Sequence, residues 1–206
     1  MLDYEKQFDR TIYSFIAGCD EAGRGPLAGP VVAAAVIMPK DVICEDINDS
    51  KQLTDAKRRK LFPWIIEHAL AYSIVAISAE KIDQINIYEA SRLGMMTALS
   101  RLHHPIDLIL TDCMPLPLEK RPVDAIVKGD AKSFNIACAS ILAKVMRDNL
   151  MIQLDAVYPE YGFAKHKGYP TKEHLEALEK YGPIPHVHRY TYGPVKHVLT
   201  KQMSLF

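Results

Sequence analysis

The sequence predicts an α/β protein: a mixed five-stranded sheet flanked by helices, followed by a small helical C-terminal part. Three observations predict it. Short apolar runs alternate with longer stretches of helical periodicity, the pattern of a layered α/β architecture. The 206 residues are 49% hydrophobic and 24% charged, which suits a globular chain with a sizeable core rather than a disordered one. From Tyr158 onward Pro, Gly, His and Tyr become frequent, and such a change marks a small surface-making unit.

Each element follows from local pattern. Tyr13 to Cys19 and Val31 to Met38 are short apolar runs separated by Gly and Pro, and Ala71 to Ser78 is a third. Short links make these first strands candidates for antiparallel neighbours. Thr54 to His68 reads as a helix with Thr54 as N-cap and a kink or break expected at Pro63. Ile82 to Leu102 has helical spacing. Strands are expected at Ile106 to Leu110, ending in Thr111 and Asp112, and at Val123 to Val127. Crossover helices make these later strands parallel. Ala131 to Leu154 is a long helical pattern opened by Asp130, and Thr171 to Tyr181 is a shorter one capped by Thr171.

Composition excludes several classes. No apolar run reaches the ~20 residues of a membrane span. The first ten residues are polar and acidic rather than signal-like. Cys19, Cys44, Cys113 and Cys138 are scattered without metal-site spacing, which implies free thiols in a reducing, cytoplasmic compartment. Formal net charge is zero, but the average hides an asymmetry. Residues 1–120 hold 13 basic and 17 acidic residues, residues 121–206 hold 12 and 8, and the latter stretch holds five of the eight histidines. The basic part suits phosphates, and the neutral total implies weak nonspecific binding.

The sharpest local feature is Asp20-Glu21-Ala22-Gly23-Arg24-Gly25, two acids and a glycine loop directly after an apolar strand. Acids beside a buried strand are costly unless paired or bound to a cation. Asp112 and Asp130 also follow strands. In one sheet these ends converge on the edge where open α/β proteins place their sites. Four clustered carboxylates raise one another's pKa, and a hard divalent cation relieves that. Oxygen ligation suits Mg²⁺ or Mn²⁺, and two such ions ~3.5–4 Å apart serve phosphoryl chemistry. The plainer readings are surface acids in a turn and Asp130 as an N-cap. Gly23 to Gly29 lacks the Gly-Lys-Ser/Thr of a P-loop.

At these residues the chain resembles bacterial ribonuclease HII, the type 2 ribonuclease H. The matching segments are GCDEAGRGPLAGPVVAAAV from Gly18, NDSKQLT from Asn48, INIYEASRLGMMTAL from Ile85, KGDAKSFNIACASILAKVMRD from Lys128, HKGYPT from His166 and YGPV from Tyr192. Gly23-Arg24-Gly25 favours this family over the related type III enzymes, which carry Gly-Thr-Gly. The resemblance implies a ribonuclease H-like fold. It implies endonucleolytic cleavage of RNA in RNA/DNA hybrids and incision 5′ of single ribonucleotides in duplex DNA, giving 5′-phosphate and 3′-OH ends. It places metal ligands for two ions at Asp20, Glu21, Asp112 and Asp130, the substrate loop at Gly23, Arg24 and Gly25, and the sensing tyrosine at Tyr169. Cys113 stands where the family often has Gly. Asp148 is a rival acid, read as structural.

Lys51, Lys132, Lys165, Lys167 and Arg189 are candidate phosphate contacts. Tyr190 stands where the family has a basic residue. His186 and His188 are read as non-ligands. The last residues, Gln202-Met203-Ser204-Leu205-Phe206, resemble the pentapeptide that docks bacterial proteins on the replicative sliding clamp. The expected organisation is a catalytic domain over 1–157, a substrate-contact region over 158–198 and a flexible tail over 199–206, in a monomer without membrane contact. A non-catalytic hybrid-binding accessory protein is the alternative, disfavoured by the intact acid set.

Overall fold

The runs at Tyr13 to Cys19 and Val31 to Met38 form interior strands of the sheet in the computed structural model, which describes residues 3–42, 44–47, 53–118 and 120–203. The strands are β1 (Ile16–Ala22), β2 (Val31–Ile37), β3 (Ala71–Ile77), β4 (Leu108–Asp112) and β5 (Val123–Ile126), in the order β3-β2-β1-β4-β5. β1 runs antiparallel to β2 and parallel to β4, and β4 runs parallel to β5. The mixed sheet is therefore as expected. Every residue of β2 is buried, as befits a strand covered on both faces. Its alanines matter for β1, because Asp20 pairs with Ala34 and Glu21 with Ala33, which leaves room beside the acids.

The helices are α1 (Asp55–His68), α2 (Ala79–Ser100), α3 (Phe134–Val157), α4 (Phe163–His166), α5 (Lys172–Tyr181) and α6 (Gly193–Met203). Thr54 and Thr171 cap α1 and α5, accepting from the amides of Lys57 and His174. Pro63 sits within α1 without ending it. It lies on the exposed face, so the carbonyl that loses its amide partner is not forced into a dry core. The break falls in α2 instead. Asn86 adopts φ 66°, and its side-chain oxygen accepts from the Glu89 amide, so one residue ends the first half and caps the second.

α3 begins at Phe134, later than the expected Ala131, and Asp130 does not cap it. Asp130 lies in a 3-10 turn, Gly129–Ala131, entered through Lys128 in the left-handed region. The cap is Glu5, remote in sequence. Its carboxylate accepts from the Ser133 hydroxyl and from the amides of Phe134 and Asn135, at 2.6, 3.3 and 3.0 Å. A carboxylate there also complements the helix dipole. Asn135 in turn accepts from the Met38 amide at the end of β2.

The chain divides into two compact units. One comprises Met1–Ala22, Val32–Val75 and Arg92–Val145; the other comprises Gly23–Val31, Ala76–Ser91 and Met146–Phe206. The expected substrate-contact region falls within the second unit, which also takes in the glycine loop. The first unit has a core of Ile16, Leu108, Leu110, Ile126 and Ile136. The second packs Met151, Tyr161, Phe163 and Ile184 together, and Leu27, Leu178, Val195 and Val198 in a further cluster joined by Leu199. That packing draws residues 199–203 into α6 rather than into a flexible tail. Cys19, Cys44, Cys113 and Cys138 are free thiols. Among the described residues no helix is long and apolar enough to cross a membrane.

Candidate active site

Parallel register brings the first two acids together. Cys19 pairs with Thr111, so Asp20 and Asp112 follow at the same end of neighbouring strands. Asp112 is level with Ile126 on β5, and the chain then turns through Lys128 and Gly129 to return Asp130. Gly129 keeps this return close-packed. An added Cβ would lie 2.6 Å from Cδ1 of Ile136 and 3.4 Å from the Asp112 backbone. The Gly129 amide donates to Asp112 Oδ1 at 2.8 Å. Gly18 likewise lets β1 meet the start of α3, since a Cβ there would lie 2.2 Å from the Asn135 carbonyl carbon.

One carboxylate oxygen from each of Asp20, Asp112 and Asp130 lies within 4.8 Å of the others. Asp20 and Asp130 are buried and Asp112 is partly so. Glu21, the fourth expected ligand, is outside this triad, although its charge acts on Asp20. Burial, then the charge of Glu21, then that of Asp112 push the Asp20 carboxyl well above the usual range, against hydrogen bonds from Ser140 and the Glu21 amide. Two unit charges about 5 Å apart repel by about 3 kcal/mol at an effective dielectric of ~20. That exceeds what one ordinary hydrogen bond returns, ~1 kcal/mol. The triad therefore favours a bound cation or a proton. Its donors are all anionic oxygens, so the residues fit a hard divalent ion such as Mg²⁺ or Mn²⁺.

The second unit holds the glycine loop. Gly23 has φ 101°. Arg24 and Gly25 are exposed, whereas Gly23 and residues 26–29 are buried. Two buried guanidiniums hold this backbone. Arg147 donates through Nε to the Pro30 carbonyl at 3.0 Å, through Nη1 to Lys167 at 3.0 Å and through Nη2 to Ala28 at 3.1 Å. Arg189 donates through Nε to Gly29 at 3.1 Å, through Nη1 to Arg24 at 2.9 Å and through Nη2 to Gly23 at 2.7 Å. Tyr192 also accepts from Arg189 and donates to the Arg24 carbonyl. Burial first, then the charge of Arg189, lowers the Arg147 pKa to about 10.

This arrangement corrects one expectation. Arg189 is not an exposed phosphate contact; it is 0% exposed and all its nitrogens serve the loop. Its effect is directional. The peptide bonds are trans, and in a trans peptide the N–H points away from the preceding C=O. With the Gly23 and Arg24 carbonyls turned to Arg189, the amides of Arg24 and Gly25 face the other way. Tyr169 is 44% exposed, and an added Cβ on Gly25 would lie 3.5 Å from its ring.

The remaining candidates are scattered. Lys132 is exposed, Lys165 pairs with Glu173, and Lys167 Nζ donates to the Ala164 carbonyl. The Tyr190 amide donates to Asp83. Asp148 is buried in the second unit, outside the triad. Lys51, Leu205 and Phe206 lie outside the described residues, as does the side chain of Gln202. Arg147 and Tyr192 were missed in the sequence. The available signal was an arginine one turn after the largely apolar stretch Ile136 to Ala143.

Comparison with known proteins agrees with the motifs. The family model described as Ribonuclease HII matches residues 17–195. A ribonuclease HII of Francisella tularensis is 52% identical over 186 residues, covering 90% of this chain and 99% of that protein. The ribonuclease H2 of Pyrococcus horikoshii OT3 superposes with a TM-score of 0.77 at 29% identity, covering 91% of this chain and 98% of that one. The RNase HII in a PCNA complex from Archaeoglobus fulgidus superposes with a TM-score of 0.71 at 26% identity, covering 87% and 95%.

Proposed function

From the premise that the chain belongs to the ribonuclease HII family, metal-dependent endoribonucleases acting on RNA/DNA hybrids, we propose that it also incises duplex DNA 5′ of single embedded ribonucleotides. The observation that supports a catalytic role most is the buried triad Asp20, Asp112 and Asp130. In this reading those residues and Glu21 hold two divalent ions, Mg²⁺ or Mn²⁺. Bound there, such ions would supply an activated water and charge stabilisation at a departing 3′ oxygen, chemistry that fits 5′-phosphate and 3′-OH ends.

The chain's own residues do the recognition. The 2′-OH is the group that distinguishes RNA from DNA. The Arg24 and Gly25 amides, turned away from Arg189, suit a hydroxyl or phosphate oxygen, and Tyr169 offers a ring and a phenol for the same sugar. Lys132 and Lys167 are proposed backbone contacts. A cytoplasmic role in clearing ribonucleotides from DNA belongs to the same proposal.

Docking on the replicative clamp through Gln202, Leu205 and Phe206 is supported by the terminal motif and by the clamp complex of the Archaeoglobus fulgidus protein. Equal clamp binding by the full chain and a Leu205→Ala/Phe206→Ala variant would overturn it. The main test is Mg²⁺- or Mn²⁺-dependent incision of a duplex with one ribonucleotide, against an all-DNA control. Incision of the first alone, lost in Asp20→Asn, is expected. Binding without metal-dependent turnover would instead favour the accessory-protein reading.

A further inference from the structure

The second unit buries three histidines that have no part in the reaction above: His166, His174 and His188, at 7%, 0% and 1% exposure. Hydrogen-bond partners assign each a single neutral tautomer. The Ile184 amide donates to His188 Nδ1 at 2.9 Å, so the His188 proton sits on Nε2. That nitrogen lies 3.1 Å from His174 Nε2, which must accept. His174 then carries its proton on Nδ1, 2.9 Å from the Tyr169 carbonyl. The result is one directed chain: Ile184 N–H to His188, His188 to His174, His174 to Tyr169 C=O.

His166 fixes the other side of the same residue. Its Nδ1 accepts from the Gly168 amide at 3.1 Å, its carbonyl accepts from the Tyr169 amide at 3.0 Å, and its Nε2 faces the Tyr161 carbonyl at 2.7 Å. Its ring stacks on His174 with centroids 4.6 Å apart. A buried imidazole nitrogen left without a partner is costly. Here every imidazole nitrogen has a partner of the right kind, and the chain ends on the backbone of an exposed tyrosine.

We infer that His174 and His188 are positioning residues that set the Tyr169 backbone, and through it the ring's approach to the ribose at the cleavage junction. The inference rests on the reading of Tyr169 as the residue that meets the substrate sugar. Protonating either His174 or His188 would place two donors face to face, so the chain works only when both are neutral. Burial keeps them so, lowering His174 to about 4 and His188 to about 3.

The test is a double-mutant cycle on a duplex with one ribonucleotide. His174→Gln keeps an acceptor toward His188 but has no donor where Nδ1 lies; His174→Asn keeps that donor. His174→Gln should lower kcat about tenfold with KM nearly unchanged, and His174→Asn should recover most of it. In a Tyr169→Ala background His174→Gln should add less than about a twofold loss. An equal loss in both backgrounds would overturn the inference while leaving the tyrosine reading intact. No loss from Tyr169→Ala itself would overturn both. If His174→Gln does not fold, long-range ¹H–¹⁵N spectra of the unaltered protein decide. They should show His174 protonated at Nδ1 and His188 at Nε2, and the reverse tautomers would overturn the chain.

Discussion

The carboxylate triad and the glycine loop are built on opposite principles. At the triad, strand register and the turn at Gly129 force like charges together, and Asp20 ends with a pKa well above the usual range. At the loop, two guanidiniums and Tyr192 satisfy the backbone from within. One region is left in need of a cation; the other is already fixed. The contrast separates chemistry from positioning. In the proposed reading the triad trades stability for reactivity, whereas the loop gains a fixed direction for its exposed amides.

The largest effect should come from the triad. Asp20→Asn or Asp130→Asn should lower cleavage by at least about a thousandfold. Because the change removes repulsion, the metal-free protein should melt no lower than the parent. A large drop in melting temperature would mean that the acids hold the fold, and the comparison would fail.

The loop should respond in the opposite sense. Arg147→Met or Arg189→Met removes a buried donor set and strands several carbonyls, so denaturation should show a loss of about 3–5 kcal/mol. Lys should recover little at either position, since one ammonium does not reproduce the guanidinium fork. Full recovery by Lys would show that charge alone matters there.

Cation binding sharpens the contrast further. Mn²⁺ or Mg²⁺ at about a hundred times its dissociation constant should stabilise the parent by about 2–3 kcal/mol. Asp112→Asn should reduce that gain, and Arg189→Lys should keep it. The last contrast concerns pH. His174 and His188 have folded pKa values of about 4 and about 3, below the ordinary 6.5. Below pH 6.5 the unfolded chain therefore binds protons that the folded chain does not. Their contribution to stability is complete above about pH 6.5 and declines as pH falls toward 4. Denaturant titrations across that range should show the decline, and a His174→Asn/His188→Gln variant should show less of it.

Much of this was legible in the sequence, for definable reasons. Apolar runs ending in Asp20 and Asp112 announce strands and acids together, and register does the rest. Thr54 and Thr171 were readable because capping is local. Glu5 was not, because it caps α3 from far along the chain. Asp130 suggested a helix cap because Asp usually has that role, yet the left-handed Lys128 places it in a tighter turn. Arg189 looked like a phosphate contact because burial of an arginine depends on partners that composition cannot reveal. The histidines of the HKGYPTKEH stretch and His188 were visible as residues, but their proton order exists only once the fold joins them.

Anomalous diffraction from crystals soaked in Mn²⁺ tests the central claim most directly, because it locates the cation without any assay. The account predicts density bonded to carboxylate oxygens of Asp20, Asp112 and Asp130 in the parent, and its loss in Asp20→Asn. Density elsewhere on the protein, with none at the triad, would contradict it.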